Sequence, residues 1–142
     1  MFVAGFMGTP QMNFIEVMVM NKNGETYLRW GENNLKLPKE KAESEELKDY
    51  IGKEVIMGIR PECIRDEARF LEAHPDTIID AMVDVTELMG AEIYLYLNAE
   101  ETNFIARVAP TSTARSGDMI KVALDAGKIH IFDKDTERCI LH

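Results

Sequence analysis

Apolar and polar positions along the chain follow short, strand-like periods. Phe14, Val17 and Val19 stand among other apolar residues between positions 13 and 20, and Asn21-Lys22-Asn23-Gly24-Glu25 then interrupts before Thr26-Tyr27-Leu28-Arg29-Trp30. Asn-Gly tolerates the positive φ angles of a tight hairpin turn, so the two runs are predicted to pair as antiparallel strands. A second turn at residues 31–33 leads into Asn34-Leu35-Lys36-Leu37, whose alternation predicts a further short strand. Pro38 heads residues 39–51, where one surface helix is expected, with Gly52 just past its end. Residues 55–60 form a strand pattern closed by Pro61, and residues 66–73 have helical composition before His74-Pro75 ends them. Beyond these, residues 77–86, 92–97, 103–108, 119–124 and 129–133 cluster β-branched and aromatic side chains between turn signals.

The sum is roughly eight or nine strands with at most two real helices, and nothing resembles the long apolar crossover helices that a parallel sheet requires. The expected fold is all-β, mainly an antiparallel barrel with extra strands and one or two short helices. No Gly/Ser/Pro-rich linker and no repeat of helix-pair length divides the chain, so one compact domain with two lobes is expected.

Composition narrows the function. With 142 residues and 46% apolar side chains there is material for one packed core. Sixteen basic against 25 acidic residues give a net charge of −9, a field that repels phosphate backbones and anionic lipid, so nucleic acid is not an expected partner. Cys63 and Cys139 show no Cys-x-x-Cys spacing and His74, His130 and His142 are scattered, which leaves no zinc ligand set and fits a reducing cytosol. Met1-Phe2-Val3-Ala4-Gly5-Phe6-Met7 is apolar but far shorter than the ~20 residues of a membrane helix and lacks a basic region before it. With no capping residue ahead of it, it is expected to be the end of a helix that began earlier, in a chain that is a fragment.

The chain carries no motif of catalysis or nucleotide binding. Gly-x4-Gly-Lys-Ser/Thr is missing, and Gly5-Phe6-Met7-Gly8, the nearest glycine pair, is followed by no lysine and reads as a helix end and turn. No Gly-x-Ser-x-Gly elbow accompanies the histidines. Asp133-Lys134-Asp135-Thr136-Glu137 opens like a calcium loop, but Arg138 stands where glycine is required. Glu45-Glu46 and Glu100-Glu101 lie in polar segments where water keeps carboxylates ordinary. Catalytic, cofactor-binding and metal-binding residues are therefore expected to be none, as in a binding, regulatory or assembly module.

Several stretches carry a resemblance. Phe2-Val3-Ala4-Gly5-Phe6-Met7-Gly8-Thr9-Pro10-Gln11-Met12-Asn13-Phe14 resembles the exit segment after the nucleotide-binding domain of maltose-type sugar-importer ATPases of the ABC class, and Gly58-Ile59-Arg60-Pro61-Glu62 looks like the regulatory-domain signature of that family. Val83 to Glu92, Phe104 to Val108, Gly117-Asp118 and Ile129 to Asp133 then follow its transport-associated OB-like (TOBE) module in order.

The resemblance implies that residues 1–142 are the C-terminal regulatory and dimerisation domain of a carbohydrate importer's ATP-binding subunit, with residues 1–12 the exit from an absent ATPase domain. ATP and magnesium would belong to that domain and no cofactor to this chain. Expected partners are a second copy, the membrane-spanning permease subunits reached through the ATPase domain, and a cytosolic regulator. The location implied is the cytoplasm, peripheral to the inner face of the membrane. Arg60 and Glu62 are candidates for interaction contacts, an intramolecular ion pair being the alternative, and Gly5, Gly8 and Pro10 are hinge candidates. Two rivals stay open: a module that binds a small ligand such as an oxyanion or sugar, and an OB-fold gripping single-stranded nucleic acid, which the acidic field disfavours.

Overall fold

The computed structural model describes residues 11–141. Strands β1 (Asn13–Lys22) and β2 (Glu25–Trp30) form the expected hairpin, with Asn23 and Gly24 at φ 54° and 79°, the pair of left-handed residues that a two-residue turn needs. Along β1 the residues Ile15, Val17 and Val19 turn inward. β3 (Asn33–Lys36) extends the sheet on one side, and β4 (Glu54–Ile59), β10 (His130–Asp133) and β11 (Cys139–Leu141) extend it on the other, in the order β11-β10-β4-β1-β2-β3.

The second sheet has the order β5-β9-β6-β7-β8, from β5 (Ile64–Arg65), β6 (Ile78–Met89), β7 (Glu92–Ala99), β8 (Thr102–Val108) and β9 (Met119–Leu124). Its end strands β5 and β8 lie alongside each other, so the sheet curls into a nearly closed barrel. Every strand pair is antiparallel. The fold is all-β, as the patterning predicted.

One buried cluster joins the inner faces of both sheets, including Leu28, Met57, Ile59, Ile79, Val83, Leu95 and Leu97. Trp30 of β2 meets Phe104 of β8 edge to face at 5.2 Å between ring centroids, a favourable geometry that locks sheet to sheet.

The helical expectation needs correcting. Residues 39–51 do not form one helix: α1 (Lys39–Ala42) and α2 (Glu45–Lys48) are separate four-residue turns. Ser44 breaks between them with ψ 125° and caps α2, its hydroxyl accepting from the Leu47 N–H at 3.4 Å. The break brings Leu47 into the core at 1% exposure, and a continuous helix would have crowded Glu40, Glu43, Glu45 and Glu46 at like-charge spacings. With α3 (Ala68–Ala73) there are three short α-helices among the described residues, because the helix expected over residues 39–51 is split in two. The strands β5 and β11, of two and three residues, are additions to the pattern read from sequence.

Candidate interaction surface

The site begins where β1 enters the fold. Asn13, 5% exposed, uses one side-chain amide to tie three strands: its Nδ2 donates to the carbonyls of Ile59 (3.2 Å) and Ile105 (2.9 Å), and its Oδ1 accepts from the Ile105 N–H at 2.8 Å. The amide thus stands in for ladder hydrogen bonds along the β8 edge and fastens the barrel to the end of β4. Beside it Gly58 is required by space, since a Cβ there would stand 2.6 Å from Met12 Sδ and 2.8 Å from the Phe132 ring. Phe132 in turn meets Phe14 edge to face at 5.8 Å.

Directly after this packed point the chain presents Arg60 and Glu62. Pro61 opens a single 3-10 turn (Pro61–Cys63) that ends β4 and aims the chain toward β5. Arg60 is exposed and forms no ion pair among the described residues. Glu62 is half-buried with Oε1 4.0 Å from the Arg107 guanidinium, whose Nε lies 3.3 Å from Glu92 Oε2 in an ion pair without a hydrogen bond at Nε. The Tyr94 hydroxyl and these two carboxylates push the Arg107 pKa above its usual value. The two candidates are therefore not brought together: Arg60 faces solvent, while Glu62 faces β8. Gly5, Gly8 and Pro10 lie outside the described residues, as does all but Gln11 and Met12 of the proposed exit segment.

Two further features were not read from sequence. β6 runs three residues past the expected end at Thr86, and a bulge at Asp84 shifts its register against β7 beyond the point where β9 stops pairing with it. Val85, Leu88 and Met89 there are 52%, 71% and 45% exposed, and Met82 stands opposite Met119, itself 62% exposed. The signal was present in the mixture of apolar residues on both faces of a strand too long for the barrel.

The second feature is a cleft of about 560 Å³ between β2–β3 and α3, lined by Thr26, Lys36, Pro38, His74, Asp76 and Thr77. Lys36 is already paired with Glu25, and His74 stacks on Phe70 at 4.0 Å between centroids. Among the described residues no group of three or more His, Cys, Asp or Glu is placed to hold a metal ion.

Residues 57–132, more than half of the chain, match the TOBE domain family, and residues 8–64 match the MalK OB fold domain. The chain belongs to the TOBE domain family. It is 41% identical to the oligosaccharides import ATP-binding protein MsmX of Bacillus subtilis over 136 residues, which are 96% of this chain and 36% of that protein. It is 38% identical to the multiple sugar-binding transport ATP-binding protein MsmK of Streptococcus mutans over 98% of this chain and 36% of the relative, and 36% identical to the trehalose/maltose import ATP-binding protein MalK of Thermococcus litoralis over 98% and 37%. This TOBE chain thus spans little more than a third of the curated relatives it matches. Among solved structures it resembles the cytoplasmic molybdate-binding protein ModG, in a form with molybdate bound, at TM-score 0.62 over 84% of this chain and 94% of that one; at 14% identity the likeness is one of fold alone.

Proposed function

We propose that this chain is the regulatory and dimerisation domain of the ATP-binding subunit of a carbohydrate importer of the ABC class. The observation that carries the reading is the similarity, along nearly the whole chain, to sugar-import ATP-binding proteins of which it spans about a third. Because no phosphate-cradling loop occurs in the sequence, ATP and magnesium are assigned to a separate domain of the subunit, and this chain is assigned no catalytic residue. Its work is mechanical. Two barrels held together by contact about a twofold axis keep their motor domains at high effective concentration when nucleotide has left.

The entry of β1 is where motor motion would reach the barrel. Motion delivered to the start of the described chain would reach Met12 and Asn13 first, and through them β4, β8 and the exposed Arg60. A cytosolic regulator bound at this surface would block hydrolysis by favouring one arrangement of motor and barrel over the other. The subunit would work in the cytoplasm against the inner face of the membrane, held there by the permease subunits.

The test is nucleotide turnover by the purified chain, with molybdate, tungstate and common sugars titrated in parallel. The expected result is no hydrolysis above background and no micromolar ligand. Turnover would overturn the assignment, and tight oxyanion or sugar binding would replace it with a ligand-binding role.

A further inference from the structure

The late half of β6 offers a surface on which the sugar-import reading does not depend. β9 accompanies β6 only from Ile78 to Met82, and its line ends where Val83 N donates to Asp118 O and Gly117 N donates to Val83 O. From Val85 to Met89 the backbone pairs with β7 alone among the described residues, so the other edge of β6 lies open. An open strand edge is a template for another strand. Beyond the bulge the side chains alternate: Val85, Glu87 and Met89 share one face, and Leu88 stands on the other. The apolar members of both faces are exposed, Leu88 most of all at 71%.

Charge selects the occupant. Asp80 and Glu92 on this hairpin are already paired, with Lys121 and Arg107. Among the described residues Asp84 has no such cation, and Glu87 keeps its charge beside the neutral Tyr96 hydroxyl, from which it accepts at 2.9 Å. An antiparallel pairing of two copies centred on this stretch would set two Glu87 side chains face to face on chains that each carry a net charge of −9, which is unfavourable. A cationic segment gains from the same carboxylates. We propose that the edge from Val85 to Met89 takes an extended, basic segment of another protein as an added antiparallel strand. β6 pairs antiparallel with both β7 and β9, and the incoming strand continues the line that β9 leaves. Read in its own direction, that segment places apolar residues opposite Met89 and Leu88, lysine or arginine opposite Glu87, an apolar residue opposite Val85 and a further cation by Asp84. Main-chain hydrogen bonds supply the affinity and this spacing the selectivity.

The probe is the peptide amide Lys-Val-Leu-Lys-Thr-Val-Lys with an N-terminal fluorophore, titrated with the chain and read by anisotropy, while hydrogen exchange is followed at residues 85–89. The expected result is saturable binding that weakens as salt is added, with slowed exchange at these amides. The same peptide with glutamate for lysine should not bind. Glu87→Lys and Leu88→Asp should each weaken binding about tenfold with unchanged circular dichroism spectra. Ile51→Asp, which changes an exposed apolar residue on the connection after α2, should leave it unaltered. No binding of the lysine peptide up to about 1 mM chain would overturn the inference. So would binding that Glu87→Lys does not weaken, or that leaves exchange at residues 85–89 unchanged. Amides that slow with rising chain concentration and no peptide would give the edge to a second copy, which overturns this inference and leaves the sugar-import reading standing.

Discussion

Replacing Asn13 by alanine removes three hydrogen bonds in one step, to Ile59 O, from Ile105 N and to Ile105 O. Each bond contributes about 1 kcal/mol net, and an Ile105 N–H left without its acceptor adds a desolvation cost when the edge stays closed. Ile105 is only half-buried, so water offsets part of that cost, and the expected loss is about 2–4 kcal/mol. For a domain of this size each kcal/mol moves the midpoint by about 4 °C, which predicts a fall of about 8–16 °C. Urea unfolding should show the same loss at an unchanged slope. Exchange of the Ile105 amide should accelerate well before global unfolding, because the bond that protects it comes from Asn13 alone. Asn13→Asp separates acceptor from donor: it can still accept from Ile105 N, yet it faces two carbonyls with a buried charge and should be at least as unstable. If Asn13→Ala unfolds within about 0.5 kcal/mol of the parent, the range of an ordinary surface change, the amide is no clamp and the coupling drawn from it is wrong.

Gly58→Val should destabilise by about 1–3 kcal/mol in urea titrations, because its side chain meets Met12 Sδ and the Phe132 ring; Met12→Ala in the same background should recover part of the loss. Asp133 has its pKa lowered to about 2 by the Tyr50 hydroxyl at 2.6 Å and by the Thr136 and Asp135 N–H groups. Since the folded value lies below the unfolded one, this carboxylate contributes stability above about pH 4 that is lost as pH falls toward 2. Tyr50→Phe should raise the Asp133 pKa, as read by carboxyl-carbon NMR, and flatten that acid limb. A double-mutant cycle between Glu62 and Arg107 should return under about 1 kcal/mol, as exposed pairs do; a coupling of several kcal/mol would make their contact a structural lock and not a readily exchanged surface pair.

The parts legible in sequence were those encoded locally. Asn23-Gly24 specified the first hairpin because two adjacent left-handed residues cost least there, and β4 was bounded by Pro61, which cannot continue a ladder. The helix over residues 39–51 failed because Ser44 could serve either as an interior residue or as a cap, and burial of Leu47 decided for the cap. β5 and β11 are too short to show a period. Asn13 read as a polar start to an apolar run, since its partner Ile105 lies 92 residues away. Glu62 was visible as a signature residue, but its pairing with Arg107 depends on the barrel curling β8 toward the 3-10 turn. Family resemblance supplied the function class, which local patterning could not.

The most direct test of that function is a graft. Residues 13–142 should replace the matching segment of the Bacillus subtilis relative MsmX, with oligosaccharide uptake measured in cells lacking the native subunit. The account predicts that the hybrid restores import, because fold and interface are supplied by this segment and nucleotide chemistry by the remainder. A hybrid that accumulates, binds ATP and hydrolyses it, yet restores no uptake, would contradict the assignment.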